Sequence, residues 1–209
     1  MSVAWDAWQF FIPLLITTAG LFNFGFPISG GVVGLLALFV LFFFRDPMRE
    51  ITEEPTALIS PADGLVHKID YDWLDPETGE KRIRMSIFLS VFNVHINRYP
   101  VSGKVIKKEI RDGKFLAAFN HMASEENAQS VVVIDSVYGK IVVKQIVGLI
   151  ARRIVCNAKE GDIAVKGERY GLIRFGSRMD ITMPSTATLN VKLKDKVAGG
   201  STILAHLKG

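Results

Sequence analysis

The strongest pattern along the chain is a long apolar segment near its start. No charged residue occurs in the 35 residues 10–44, whereas Asp6 precedes this segment and Arg45 follows it directly. This length exceeds the roughly 20 residues that cross a bilayer once, and it is short for two full spans. Gly25 and Pro27 interrupt its middle, where a continuous helix would break. The pattern predicts two short apolar helices, arranged as a tight hairpin or as a monotopic membrane anchor.

From residue 51 onward, short runs of β-type residues alternate with turn residues. The turn "DPETGE" separates "GLVHKIDYDWL" from "KRIRMSIFLSVF", and a Val- and Ile-rich stretch contains a further turn at Tyr138 and Gly139. A parallel α/β fold would need amphipathic helices between its strands, and this part of the sequence has none. We therefore predict a mainly β (α+β) fold: a compact antiparallel sandwich or barrel in residues 49–209, preceded by a hydrophobic helical hairpin in residues 1–48.

Charge adds a weaker indication about where the second domain lies. Outside the apolar segment and the residues before it, the chain has 25 basic and 20 acidic side chains. This excess suits anionic lipid headgroups, although it is also ordinary for a soluble surface. Arg45 and Arg49 directly after the apolar segment favour a membrane-associated catalytic domain on the cytoplasmic side. The basic residues are spread over several strands, which disfavours nucleic acid as a partner.

The single cysteine, Cys156, excludes an internal disulfide and a cysteine-rich metal site. It lies in the apolar run "RRIVCNA", where a cysteine acting as a small buried hydrophobe is the simpler interpretation. We therefore expect no metal cofactor.

His95 is the histidine with the most suggestive surroundings. In a continuous strand, Asn93, His95 and Asn97 would share one face, and this composition predicts a polar surface. A histidine there titrates near neutral pH and can act as a general acid or base. A surface histidine without catalytic function fits the same pattern.

Two further positions combine turn chemistry with reactive side chains. Asp63 lies in a Pro-Ala-Asp-Gly sequence that is typical of a turn. Gly176 and Ser177 also resemble a turn between two β-type runs, and they lack the Gly-x-Ser-x-Gly surroundings of a hydrolase nucleophile. A serine after glycine can attack the preceding carbonyl and convert the peptide bond into an ester, but the dipeptide alone favours a simple turn.

Taken together, five segments resemble the phosphatidylserine decarboxylase proenzymes, in particular the short prokaryotic type. They occur in the family's order and at about its separations, and the resemblance extends from about Phe43 to Pro184. The segments are "FFRDPMREI", "SPADGLV", "FLSVFNVHINRYPVSGKV", "SEENAQS" and "RFGSRMDI".

The resemblance implies that the chain is a zymogen that cuts itself between Gly176 and Ser177. The products would be a β chain of residues 1–176 and an α chain of residues 177–209, which remain together as a heterodimer. Ser177 would become a covalent pyruvoyl group that forms a Schiff base with the amine of phosphatidylserine in the membrane. Decarboxylation would then give phosphatidylethanolamine, a step of phospholipid biosynthesis. Assembly into a higher oligomer stays open.

Roles for three residues follow from the same resemblance. Asp63 matches the family's aspartate, which acts in a relay with a histidine and the serine during self-cleavage. His95 matches the histidine that protonates the carbanion. Arg98 stands where longer members have a second histidine, so the base for self-cleavage is either His95 or another group.

Three further residues are candidates for contact with the substrate. Glu126 and Asn127 match part of the family's mobile loop, and Arg178 could meet the substrate phosphate. Two other functions are compatible with the sequence: the same reaction on an archaeal ether lipid, archaetidylserine, and a non-catalytic membrane-anchored β-barrel adaptor.

Overall fold

A computed structural model of the chain describes residues 2–117, 122–149, 153–174 and 177–208. Its contacts divide the chain into two compact units, Met1–Met48 and Arg49–Gly209.

The first unit is a pair of apolar helices. Its elements in chain order are β1 (Ser2–Val3), a 3-10 helix (Trp5–Ala7), α1 (Trp8–Asn23), α2 (Pro27–Phe43) and β2 (Arg45–Asp46). The two short strands pair antiparallel. Gly25 adopts a positive φ of 81° in the turn between the helices, a conformation that favours glycine. Pro27 is the first residue of α2, where its missing N–H costs nothing.

Small residues allow α1 and α2 to approach closely. A Cβ on Gly30 would lie 3.0 Å from the Phe22 ring, so this glycine makes room for an aromatic side chain of the other helix. Elsewhere the helices expose apolar side chains, including Ile16 and Leu35, each 68% exposed. Of the helices in the described residues, none combines the length and apolar character needed to cross a membrane.

The second unit is built from strands. They are β3 (Ala57–Ile59), β4 (Gly64–Leu74), β5 (Lys81–Leu89), β6 (Ile96–Arg98), β7 (Gly103–Arg111), β8 (Gln129–Ser136), β9 (Gly139–Val147), β10 (Ile154–Cys156), β11 (Ile163–Ala164), β12 (Arg169–Ile173), β13 (Ser177–Pro184), β14 (Thr188–Leu189), β15 (Lys196–Val197) and β16 (Ile203–His206). They form an antiparallel eight-stranded sheet in the order β11-β7-β8-β9-β13-β5-β4-β15, and two three-stranded sheets, β10-β12-β6 and β14-β16-β3. One helix of four residues, α3 (Ala123–Glu126), belongs to this unit in the described part of the chain.

Strand β13 lies near the middle of the large sheet and is paired on both sides. Successive side chains of a strand point to opposite faces. Ser177, Met179 and Ile181 therefore share one face, and the last two belong to the main hydrophobic core. We call this the inner face. Arg178 and Asp180 point to the other, outer face.

The predicted fold class is confirmed. The chain is mainly β with a helical N-terminal region, and the large antiparallel sheet is curled like half a barrel. The prediction for the His95 segment was wrong in one respect. A turn, in which the Asn93 N–H donates to the Ser90 carbonyl at 3.0 Å, ends the preceding strand run, and β6 begins only at Ile96. His95 is 2% exposed and therefore does not lie on a polar surface.

Candidate active site

Ser177 is the first residue of β13 and is completely buried. Its register partners are Leu89 at the end of β5 and Val147 at the end of β9. Its hydroxyl oxygen has no hydrogen-bond partner among the described residues. A buried hydroxyl normally finds a partner, so the unpartnered hydroxyl of Ser177 needs an explanation. Gly176, the other half of the predicted cleavage site, lies outside the described residues.

A second Gly–Ser bond in the same chain offers a direct comparison. Ser201 follows Gly200 in a surface turn, in which the Ser201 N–H donates to the Ala198 carbonyl at 3.1 Å, and its side chain is exposed. Ser177, in contrast, begins a central strand and is completely buried on the core side of the large sheet. From the sequence alone the two Gly–Ser bonds could not be assigned different environments. The structure shows that one serine is exposed in a turn and the other is buried in a strand.

Arg178 lies on the outer face and is 1% exposed. Its Nε donates to Asp180 Oδ1 at 2.7 Å, and a terminal nitrogen donates to Ser86 Oγ at 2.8 Å. Asp180 also accepts a hydrogen bond from Ser124 Oγ at 2.6 Å. The side chain suggested for the substrate phosphate therefore already takes part in a buried network that joins β13, β5 and α3.

His95 is held by a backbone contact. Its Nδ1 lies 2.9 Å from the Asn93 carbonyl oxygen. A carbonyl only accepts hydrogen bonds, so Nδ1 carries the proton in this contact. In the neutral ring the lone pair then resides on Nε2, the nitrogen that could take up a proton from a substrate or from the chain itself.

Asp63 is bound by groups other than His95. Both of its carboxylate oxygens accept from the same Arg49 nitrogen, at 2.8 and 2.9 Å. The Gly199 N–H donates to Oδ1 at 2.8 Å. Among the described residues, no hydrogen bond joins any two of Asp63, His95 and Ser177. A direct relay of hydrogen bonds through Asp63, His95 and Ser177 is therefore not formed among the described residues.

Arg98, which stands in the place of the family's second histidine, has an evident structural contact. Its guanidinium donates to the Gly167 carbonyl at 3.0 Å, and its backbone N–H donates to the Pro61 carbonyl at 2.9 Å. The second bond connects the start of the Asp63 turn to β6, the strand that follows His95.

Asn127 and Glu126 differ in their surroundings. Asn127 is 1% exposed, and its side-chain amide donates to the carbonyls of Leu116 and Val147, at 2.8 Å each. Its oxygen accepts from the Leu116 N–H at 2.9 Å. Glu126 is more exposed and forms an ion pair with Lys114 at 2.8 Å. Asn127 thus connects the backbone of Leu116 to Val147, the register partner of Ser177.

Sequence reasoning missed two residues of this region. Arg49 had been interpreted only as a charge that orients the membrane anchor. Gln145 lies on the inner face of β9, 1% exposed, and its Nε2 donates to Asn97 Oδ1 at 2.8 Å. The available signal was a single amide at an inward position of the otherwise apolar run "VVKQIV".

Comparison with known proteins identifies the family of the chain. A family model described as phosphatidylserine decarboxylase matches residues 36–205. A phosphatidylserine decarboxylase proenzyme of Geobacter metallireducens is 47% identical over 175 residues, which cover 83% of this chain and 80% of the relative. Proteins of the same name from Burkholderia multivorans and Chlorobium phaeobacteroides are 42% and 41% identical, and the alignments cover 99% and 94% of this chain and 96% and 93% of the relatives.

The β-rich core with a buried serine at the start of its central strand is therefore that of a decarboxylase. The chain belongs to the phosphatidylserine decarboxylase family.

Proposed function

We propose that this chain is the precursor of a pyruvoyl-dependent enzyme that converts phosphatidylserine to phosphatidylethanolamine. The observation that carries the proposal is the environment of Ser177. Its hydroxyl is buried, has no hydrogen bond among the described residues, and follows a glycine. These features support a serine that attacks its own preceding carbonyl, because no hydrogen bond among the described residues ties the hydroxyl to a turn.

Self-cleavage would proceed in two stages. Ser177 Oγ adds to the Gly176 carbonyl carbon while its proton passes to a base. The C–N bond then breaks, the nitrogen takes up a proton, and an ester remains. A base next removes the Ser177 α-proton, the Cβ–O bond breaks, and Gly176 leaves as a carboxylate. Water adds to the resulting dehydroalanine, and loss of ammonia leaves the pyruvoyl group.

The residues present fit this group. Ser177 lies at a strand end, so a new chain terminus can form there without removing a residue from the sheet interior. Once formed, the pyruvoyl group would supply a carbonyl that accepts the electrons released when an amine substrate loses CO2. The surrounding core side chains of the inner face, among them Leu89 and Val147, shield this position from bulk solvent.

His95 is the proposed proton-transfer residue, with Nε2 as the reacting nitrogen. Because Asp63 is bound to Arg49 and Gly199, we assign it a positioning role instead of a direct hydrogen bond to His95. Arg98 donates a hydrogen bond to Gly167, and its guanidinium is already protonated and cannot act as a base. In this proposal His95 therefore serves both cleavage and decarboxylation. The apolar side chains of the two N-terminal helices would place the enzyme at the membrane that contains its substrate, with the catalytic unit on the cytoplasmic side.

Intact mass of the purified protein tests the proposal. We expect two fragments that correspond to residues 1–176 and 177–209, the smaller with a blocked N-terminus, and a single uncut chain for Ser177→Ala without decarboxylation. Ser201→Ala is the matched control, because it changes the other Gly–Ser bond, and it should be cut normally. Cleavage of Ser177→Ala, or a wild type that stays whole and inactive, would contradict the proposal and favour the adaptor. Activity towards ester and ether lipids distinguishes the two decarboxylase assignments.

A further inference from the structure

The segment that carries His95 is tied at its beginning to the end of β5. Asn93 Oδ1 accepts two hydrogen bonds from Ser90, one from the backbone N–H at 2.9 Å and one from the hydroxyl at 2.8 Å. Ser90 directly follows Leu89, the last residue of β5 and the register partner of Ser177. Asn93 is thus fixed beside one of the two neighbours of β13.

The same segment is tied at its other end to β9, the second neighbour of β13. Gln145 Nε2 donates to Asn97 Oδ1 at 2.8 Å and to the Val155 carbonyl at 3.2 Å. Because a carbonyl only accepts, the second contact fixes which end of the Gln145 amide is nitrogen. Asn97 is completely buried and Gln145 is 1% exposed. This bond therefore connects β6 to the inner face of the large sheet.

These two ties constrain where His95 can lie. Strands β5 and β9 flank β13, and neighbouring strands are about 4.8 Å apart, so the two flanking strands are separated by about 10 Å. The four steps from Asn93 to Asn97 reach at most about 14 Å. Residues 93–97 must therefore cross β13 in a nearly extended conformation. His95 is the middle residue of this crossing. Leu89 is level with Ser177, and Gln145 with Met179, so the crossing passes over the first residues of β13.

The Gln145–Asn97 tie is not explained by stability alone. Gln145 Oε1 and Asn97 Nδ2 are buried and have no hydrogen-bond partner among the described residues, and buried unpaired atoms of this kind are destabilising. The site is nevertheless specifically shaped. A Cβ on Gly171 would collide with the Val155 carbonyl oxygen and lie 2.9 Å from Gln145 Nε2. Leucine at both positions would remove these two unpaired amide atoms from the interior.

We propose that Asn93, Asn97 and Gln145 are positioning residues that hold His95 over the Ser177 end of β13. The inference rests on the proposed function, since it names what places the proton-transfer group of that same site. Asn93 fixes the segment on the β5 side and also supplies the carbonyl that accepts from His95 Nδ1. Asn97 and Gln145 fix it on the β9 side.

Rates of self-cleavage in leucine variants test the inference. Asn97→Leu and Gln145→Leu, made by cell-free synthesis and followed by intact mass against time, should each be cut about 10- to 100-fold more slowly, as expected for a reacting group displaced by about 1 Å. The double variant should be no slower than the slower single variant, because both lose one shared hydrogen bond. Gln129→Leu is the matched control: Gln129 is another buried glutamine of the sheet with an unpaired oxygen, but it lies on β8 and faces away from β6. It should be cut at the wild-type rate.

Asn97→Asp gives a readout that a merely structural role would not move. It keeps the oxygen that accepts from Gln145, so cleavage should be retained. A carboxylate two residues along the chain from His95, about 7 Å away, favours the protonated imidazole. A base must be unprotonated, so the pH at which cleavage is half-maximal should rise relative to wild type.

The outcomes separate this inference from the proposed function. If wild type is cut at Ser177 while both leucine variants match its rate and Asn97→Asp matches its pH profile, the positioning role is wrong and the proposed function stands. If wild type is never cut, both are wrong. Circular dichroism identifies any leucine variant that fails to fold, and Asn97→Asp then decides alone.

Discussion

Asp180 shows how one buried carboxylate can remain charged near the proposed cleavage site. Burial is the largest single influence and raises its pKa. The charge of Arg178 and hydrogen bonds from Arg178, Ser124 and Ser86 together outweigh burial, and the pKa lies below its ordinary value of 3.8. The ionised form is therefore the one that this network stabilises.

Replacing this carboxylate should cost stability in a pH-dependent way. Asp180→Asn leaves the Arg178 guanidinium without its carboxylate partner, and breaking a buried pair costs about 3–5 kcal/mol. Since the folded-state pKa is lowered, the stabilisation is fully present above pH 3.8 and is lost as the pH falls through the folded-state pKa. Urea unfolding at several pH values should show a difference from wild type that is large at pH 7 and shrinks with increasing acidity below about pH 4.

The matched control for that measurement is Asp135→Asn, which removes an exposed carboxylate from β8. Its effect on the free energy of unfolding should stay within about 0.5 kcal/mol. A difference for Asp180→Asn that is equally large well below pH 3.8 would contradict the assignment.

Single residues also show what the sequence could and could not predict. Asp63 and His95 were found by their turn and strand surroundings and by resemblance, but the partners of Asp63 could not be identified in the same way. Arg49, 14 residues earlier in the chain, and Gly199, 136 residues later, become neighbours of its carboxylate only after the chain has folded. No local pattern identifies which of several charged or amide residues will pair.

Among the structural elements, the segment held by Asn127 lies next to the start of β13. Its backbone pairs with the last residue of α3 and with a residue just after the helix: the Lys114 N–H donates to the Glu126 carbonyl at 2.7 Å, and the Ala128 N–H donates to the Lys114 carbonyl at 3.0 Å. The Asn127 amide completes this arrangement by binding the carbonyl of Val147, the register partner of Ser177. The Asn127 side chain therefore links the position of this segment to that of the end of β9.

Neighbouring substitutions at positions 126 and 127 should have unequal effects. Asn127→Ala leaves the buried Val147 carbonyl unpaired, at a cost of about 1–3 kcal/mol, and also frees the partly buried backbone groups of Leu116. Glu126→Gln removes only a surface ion pair and should cost less than about 1 kcal/mol. Hydrogen exchange at the Leu116 amide should accelerate strongly in the first variant and little in the second. Equal exchange in both would show that the Asn127 side chain does not hold this segment.

At the level of elements, local pattern predicted most strands but not their arrangement. The hairpin of β4 and β5 around "DPETGE" could be read from alternation and turn residues. The position of β13 between β5 and β9 could not, because Ser177 pairs with Leu89 and Val147, which lie many residues earlier in the chain. The Gly-Ser dipeptide suggested a turn, and the strand that begins at Ser177 is fixed by those distant partners.

For the molecule as a whole, a cut before Ser177 would divide the sheet between two polypeptides. Residues 177–208 contribute β13 to the middle of the eight-stranded sheet, β15 to its edge and β16 to the pairing with β3. The two fragments are therefore held by backbone hydrogen bonds on both sides of a buried strand.

This arrangement predicts that the fragments do not separate without unfolding. After cleavage, both should elute together in native size-exclusion chromatography, even at high salt, and separate only in denaturant. High salt is the informative condition, because it screens surface ion pairs and leaves the buried strand pairing and apolar contacts intact. Release of residues 177–209 from folded protein at high salt would contradict the central position of β13.

The place of β13 in the chain also fixes an order of events during synthesis on the ribosome. The strands on either side of it, β5 and β9, are translated long before it, and their facing edges stay unpaired until the last part of the chain emerges. The inner face of the large sheet is therefore completed only after β13 has been translated. A truncated product that ends before β13 has neither Ser177 nor the complete sheet that buries it. Such a product could not undergo the proposed self-cleavage.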